Sequence, residues 1–290
     1  MTTHAILRLL VVLIYTVALP AQAEEVLTCK DGKGRIIFTD DPRRCGKATI
    51  DTRDIKLVNS HSQFGALESK EYFNYANRAH TPLTGYQINI IAESELLETQ
   101  PDLTHKAARR LQLNVLRALD RFPTEHRKSF KNIRYYLFSG KTSSYGGKDS
   151  GLWYFRKGNR ISKRFDDSII INSADNFVRI SDQLALAVTI HELAHGYYFY
   201  HQQRVYPQAK AAFDLAAKSH RYRNLKTAQG KVVDRAYALE NHREYFAELS
   251  AMYFSRHYYF PFDRTGLQQY DDTGFQMIER AWMHVQTHTQ

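Results

Sequence analysis

The chain has 290 residues, 43% of them hydrophobic and 13% aromatic, with a formal net charge of +10. Its length suits one sizeable domain with a small appendage and excludes three ordinary domains. The composition excludes disorder, collagen and a multi-span membrane protein. The charge is dispersed; it suits anionic surfaces or acidic substrates, and most simply reads as solvated faces. No nucleic-acid motif accompanies it.

Residues 1–23 read as a signal peptide. "MTTHAILR" carries one Arg and no acid, and "LLVVLIYTVAL" is shorter than the ~20 residues that a bilayer span needs. Ala21 and Ala23 flank Gln22 at the expected cleavage site. The alternative is an uncleaved anchor. Cleavage predicts an exported chain with no stable membrane span. Residues 24–48 read as a small strand–turn–strand unit, with "KDGKG" as the turn and "RIIFTD" as the second strand. In an oxidising compartment Cys29 and Cys45 are expected to pair; two free thiols are the alternative. This stretch resembles a short domain of unknown function found after the signal peptide in proteobacterial envelope proteins. The resemblance implies a periplasmic or secreted address and says nothing about chemistry.

Residues 49–79 read as a linker and 80–290 as the main domain. "YQINIIA" predicts a strand. "DLTHKAARRLQLNVLRALDRFP" predicts a helix capped by Thr104, with Ala107, Leu111, Val115, Leu116 and Leu119 on one face. "NIRYYLFSG", "GLWYF" and "DDSIIINSADN" predict further strands. "SDQLALAVTIHELAHGYYFYHQQ" predicts a helix capped by Ser181. A helix is expected after Pro207, then a polar loop, then a helix in "REYFAELSAMYFSRHYY", then an amphipathic tail helix. Strands precede helices with little βαβ alternation. That predicts α+β, a small mixed sheet beside a helical half.

His191, Glu192 and His195 form a His-Glu-x-x-His pattern. Residues i and i+4 share a helix face, so the two imidazoles meet at one point. Such a pattern arises by chance in roughly a few per cent of chains of this length, so its flanks decide. They are apolar, and buried imidazoles need partners. A metal is one: two His and a carboxylate make a catalytic zinc shell with an open position, and Glu192 stands where it can take a proton from water. The expected cofactor is one Zn²⁺ per chain. The third ligand is sought among Glu240, Glu244 and Glu248, spaced four apart in "AYALENHREYFAELSAMYF". Glu244 is predicted to bind the metal and Glu248 to hold the far N–H of a ligating His.

"HELAH" followed 49 residues after its second His by "EYFAE" resembles the gluzincin-type zinc peptidases related to anthrax lethal factor and to clostridial Pro-Pro endopeptidases. The resemblance covers about residues 80 to 290. It implies a zincin-like fold and hydrolysis of peptide bonds by metal-activated water. It also implies that Tyr237, seven residues before Glu244, stabilises the oxyanion; with 19 tyrosines in the chain, plain packing is the alternative, and His220 and His242 are nearby alternatives for the role. Tyr245 stands where the toxin has Phe, and no toxin-like translocation region is visible.

A peptide or protein substrate is expected to lie against the edge strand through Gly151, Leu152 and Trp153, adding a strand. A plain surface hairpin is the alternative. Three functions follow from these residues: an exported zinc endopeptidase, a zinc amidase acting on wall peptide crosslinks, or a non-catalytic envelope binding protein on a peptidase fold.

Overall fold

The computed structural model describes residues 27–30, 36–39, 76–140 and 151–283. Strands β1 (Leu27–Lys30) and β2 (Ile36–Thr39) pair antiparallel, the short hairpin that the Gly-rich turn predicts. The expected Cys29–Cys45 pairing falls outside the residues whose side chains are described, as does the expected signal segment.

The main domain begins with β3 (His80–Pro82) and β4 (Asn89–Glu93). Helices α1 (Ser94–Thr99) and α2 (Pro101–Arg121) lead to β5 (Arg134–Leu137). Then come β6 (Leu152–Phe155), β7 (Ser168–Ile171), α3 (Ala174–Arg179), α4 (Asp182–Tyr200) and α5 (Gln202–Lys218). The chain closes with β8 (Arg223–Lys226), β9 (Val232–Arg235), α6 (His242–Phe254), α7 (Arg264–Tyr270) and α8 (Asp272–Met283). The architecture is α+β, with a small mixed sheet beside a larger helical part. No helix among the described residues is long and apolar enough to cross a membrane.

The sheet order is β3-β4-β5-β7-β6. The three inner strands run parallel; β3 and β6 run antiparallel to their neighbours. β4 and β5 are joined through α1 and α2, so one βαβ crossover exists where little alternation is expected from sequence. Side chains alternate across the sheet. Ile90, Ala92, Tyr135, Leu137, Ile169, Ile171 and Leu152 face the main core with α2 and α4. Tyr136, Phe138 and Ile170, with Trp153 and Phe155 beside them, form a second cluster around Phe165 on the other face. Covering on both faces explains the unbroken apolar run of β7.

Several helix limits differ from the sequence reading. α2 starts at Pro101, which needs no N–H partner at that position. Thr104 therefore lies inside the helix, buried, and its hydroxyl donates to the carbonyls of Gln100 at 2.9 Å and Leu96 at 3.2 Å. α5 starts at Gln202, five residues before Pro207, because Val205 is buried and Arg204 donates to Ala281 O and to the Tyr197 hydroxyl. Tertiary contacts outweigh the proline there. The expected polar loop contains the β8–β9 hairpin, whose two strands bury only Leu225. α6 ends at Phe254, where Ser255 donates back to Ala251 O at 2.7 Å, so the chain through Tyr259 is free to fold back.

α8 is held by an aromatic stack. Trp282 lies 3.9 Å from Tyr197 and 4.6 Å from Phe122, ring centre to ring centre. His126 Nε2 donates to Trp282 O at 2.7 Å, and His201 meets the Ser129 hydroxyl at 3.1 Å. Burial, reinforced by Arg204, pulls His201 down to about 4; burial also lowers His126. Both bind protons more readily unfolded, so stability present above pH 6.5 is lost as pH falls from about 6.5 towards 4. The melting temperature of His201→Gln is expected to fall less than that of the wild type over that interval. Parallel melting curves would contradict the assignment.

Candidate metal centre

α4 is apolar on every side, and so it is buried. Ser181 caps it, accepting from Leu184 N at 3.1 Å. The helix carries His191 and His195 one turn apart, with ring centres 4.8 Å from each other. α6 packs across it. Asn241 caps α6, accepting from Arg243 N at 2.9 Å and Glu244 N at 3.2 Å. The cap fixes Glu244 in the first turn of α6, facing the two imidazoles.

The potential ligand atoms converge. His191 Nε2 and His195 Nε2 are 3.1 Å apart, and Glu244 Oε2 lies 3.2 Å from the first and 2.9 Å from the second. Tetrahedral ligands at the ~2.0–2.1 Å of a zinc–nitrogen bond stand about 3.3 Å apart, so the triangle fits a divalent ion. His191 Nδ1 lies 2.8 Å from Glu248 Oε1. It donates there, which leaves the Nε2 lone pair facing the other two ligand atoms. Two imidazole nitrogens and a carboxylate oxygen at this separation need positive charge between them, a proton or a metal ion. His191, His195 and Glu244 can thus hold a metal ion. Glu244 keeps partial exposure, which opens the group to solvent.

The electrostatics also call for positive charge. Burial alone would lower the pKa of His191; hydrogen bonds to Glu244 and Glu248, with the charges of Glu248 and Glu192, raise it well above its ordinary value. Burial pushes Glu244 up, but His195 and His191 more than reverse this and hold it well below the carboxylate range. Glu248 behaves likewise: burial is outweighed by His257 and His191.

Glu248 is buried and held from three sides. His191 Nδ1 meets one oxygen; His257 Nε2, at 3.2 Å, and the Tyr259 hydroxyl meet the other. The sequence reading did not reach His257 or Tyr259. Their one signal is a His and a Tyr just past a helix end, nine and eleven residues after a buried acid. Glu248→Ala is expected to weaken zinc binding about 10–100-fold, with Glu248→Gln and Tyr259→Phe milder. Competition with a chromophoric chelator measures this; unchanged affinity in Glu248→Ala would remove its role in orienting His191.

Glu192 is 4% exposed and is not among the converging ligands. Its Oε2 accepts from the Tyr154 N–H of β6 at 2.7 Å. Burial raises its pKa to about 7; Glu244 adds to this, while His191, His195 and the Tyr154 bond oppose it. Tyr237 lies in a short 3₁₀ turn, with its ring centre 5.9 Å from that of His191. Its hydroxyl hydrogen-bonds Glu244; burial first, then the carboxylates of Glu244, Glu192 and Glu248, keep it protonated. Glu240 sits before the cap, exposed and off α6, so the three-glutamate face expected there does not form. His242 pairs with the Tyr198 hydroxyl at 3.1 Å, and His220 is exposed; neither joins the group.

β6 is an edge strand beside α4. Gly151 O accepts from Asn172 N at 3.1 Å, so Gly151 and, by alternation, Trp153 and Phe155 direct their peptide groups at β7. Of the three expected substrate residues, only Leu152 turns its N–H and C=O to the open edge. Tyr154 does so too, but its N–H is occupied by Glu192.

No protein-family profile matches the chain, and no curated protein matches it in sequence.

Proposed function

We propose that this chain is an exported zinc-dependent endopeptidase with a gluzincin-type, zincin-like site. The observation that carries the reading is the meeting of His191 Nε2, His195 Nε2 and Glu244 Oε2 at edges of 2.9 to 3.2 Å, with Glu192 on the same helix. Export rests on the sequence of residues 1–23, and zinc rests on the donor set of two imidazoles and one carboxylate.

His191, His195 and Glu244 hold the ion. When bound, zinc supplies a Lewis acid and makes water acidic enough to lose a proton near neutral pH. Glu192 takes that proton and delivers it to the leaving amine. The Tyr154 N–H keeps the Glu192 carboxylate in place. Tyr237 donates its hydroxyl proton to the oxyanion as the carbonyl becomes tetrahedral. Glu248, itself held by His257 and Tyr259, fixes the tautomer of His191. Leu152 N–H and C=O and the Tyr154 C=O receive an extended substrate backbone.

The test is hydrolysis by the zinc-supplemented full chain, with and without chelator, on denatured protein and on isolated wall sacculi. Chelator-sensitive cleavage of denatured protein is expected. Release from sacculi alone would move the reading to a wall-peptide amidase. No cleavage of either would leave an envelope binding protein.

A further inference from the structure

A basic turn stands directly beside the reaction centre. The bond from Tyr154 N–H to Glu192 sets that carboxylate against this part of β6. Two residues later the chain leaves the strand and turns, with Asn159 N donating to Arg156 O at 3.1 Å and Gly158 at a φ of 71°. Asp166 pins the turn, accepting from Gly158 N at 3.0 Å and from Asn159 Nδ2 at 2.9 Å. At about 3.3 Å per residue, Arg156 stands roughly 7 Å along from Tyr154, and Lys157 follows it in the turn.

The stretch from Arg156 to Arg164, "RKGNRISKR", holds five cations and no acid. Arg164 is spent on Arg78 O and His80. Arg156, Lys157, Arg160 and Lys163 are exposed, and no ion pair to a carboxylate is found for them among the described residues. The two acids that follow face inward: Asp166 holds the turn, and Asp167 accepts from the Tyr154 hydroxyl at 2.7 Å. One of the cations is also anchored. The Arg156 guanidinium lies 5.9 Å over the Phe199 ring, which itself stacks on Tyr154 at 5.9 Å. A fixed turn that gathers like charges raises the local concentration of anions there.

We propose that this turn selects peptide substrates carrying acidic residues two to four positions from the cleaved bond, on the side that runs past Phe155. The proposal rests on the hydrolase reading above. β6 binds the substrate backbone through Leu152 and Tyr154, and the turn reads side chains further along.

The experiment uses the zinc-loaded full chain and paired peptides of one cleavable sequence. They carry three Glu, three Gln or three Lys at those positions, on one side of the bond or the other. The Glu peptide is expected to exceed the Lys peptide in kcat/KM by about tenfold at low salt, the sum of several exposed ion pairs. The preference is expected on one side only. It should shrink towards parity in 0.5 M salt, where screening reaches only ~4 Å, and in Lys157→Glu/Arg160→Glu. Equal kcat/KM for Glu and Lys peptides at low salt overturns the proposal. If no peptide is cut, the hydrolase reading fails, and binding of the same peptides to the zinc-loaded chain decides: tighter Glu binding upholds the charge selection, and equal binding overturns it. Binding to anionic lipid vesicles together with indifference to peptide charge assigns the turn to a membrane surface and also overturns it.

Discussion

Glu192→Gln is expected to keep its metal and to lose hydrolysis by about 10²–10⁴-fold, the usual worth of a positioned general base. The substitution is close to isosteric. Gln keeps an oxygen to accept from the Tyr154 N–H, so the side chain stays beside β6. What disappears is the capacity to take a proton. Glu192 lies outside the group of converging ligand atoms, so metal content should not change. The wild-type carboxylate is held near pH 7, mainly by burial, where it can both accept and return a proton. Elemental analysis and turnover on one denatured-protein substrate measure both properties. A variant within tenfold of the wild-type rate would show that another group takes the proton. A variant without metal would make Glu192 a ligand.

Tyr237→Phe is expected to lower kcat by about 10²–10³-fold with KM little changed, since the lost hydrogen bond forms only as the carbonyl becomes an oxyanion. The hydroxyl is held protonated by burial and three surrounding carboxylates, and it rests on Glu244 in the free protein. The Phe ring keeps the packing against His191, so the fold and the metal group should survive. A loss below about threefold would reduce Tyr237 to packing.

The group of His191, His195 and Glu244 is legible in the sequence because each part leaves a local trace. The i, i+4 histidines lie on a helix with a visible cap, and a second helix carries acids among buried apolar residues. Glu244 and Glu248 stand out because carboxylates at such positions need partners. Other parts left no trace. The Tyr154 N–H is a backbone group, invisible in residue identity. Which residues of β6 offer peptide groups to the open edge depends on its register with β7, which no residue near 151 encodes. His257 and Tyr259 reach Glu248 only because α6 stops at Phe254, and that stop depends on a serine hydroxyl bonding back to the helix. The β8–β9 hairpin was hidden because most of its residues are exposed, so no apolar alternation marks it. The cations after β6 stand in the sequence among a dispersed charge; that they follow a strand bonded to Glu192 is visible only in the fold.

The most direct test is the metal content of the purified chain, wild type against Glu244→Ala. About one zinc per wild-type chain, sharply reduced in the variant while the fold persists by circular dichroism, is the result predicted from the triangle of His191, His195 and Glu244. A folded wild type that takes up no zinc from excess would contradict the metal centre and the hydrolysis built on it. Full zinc retention in Glu244→Ala would contradict the ligand assignment.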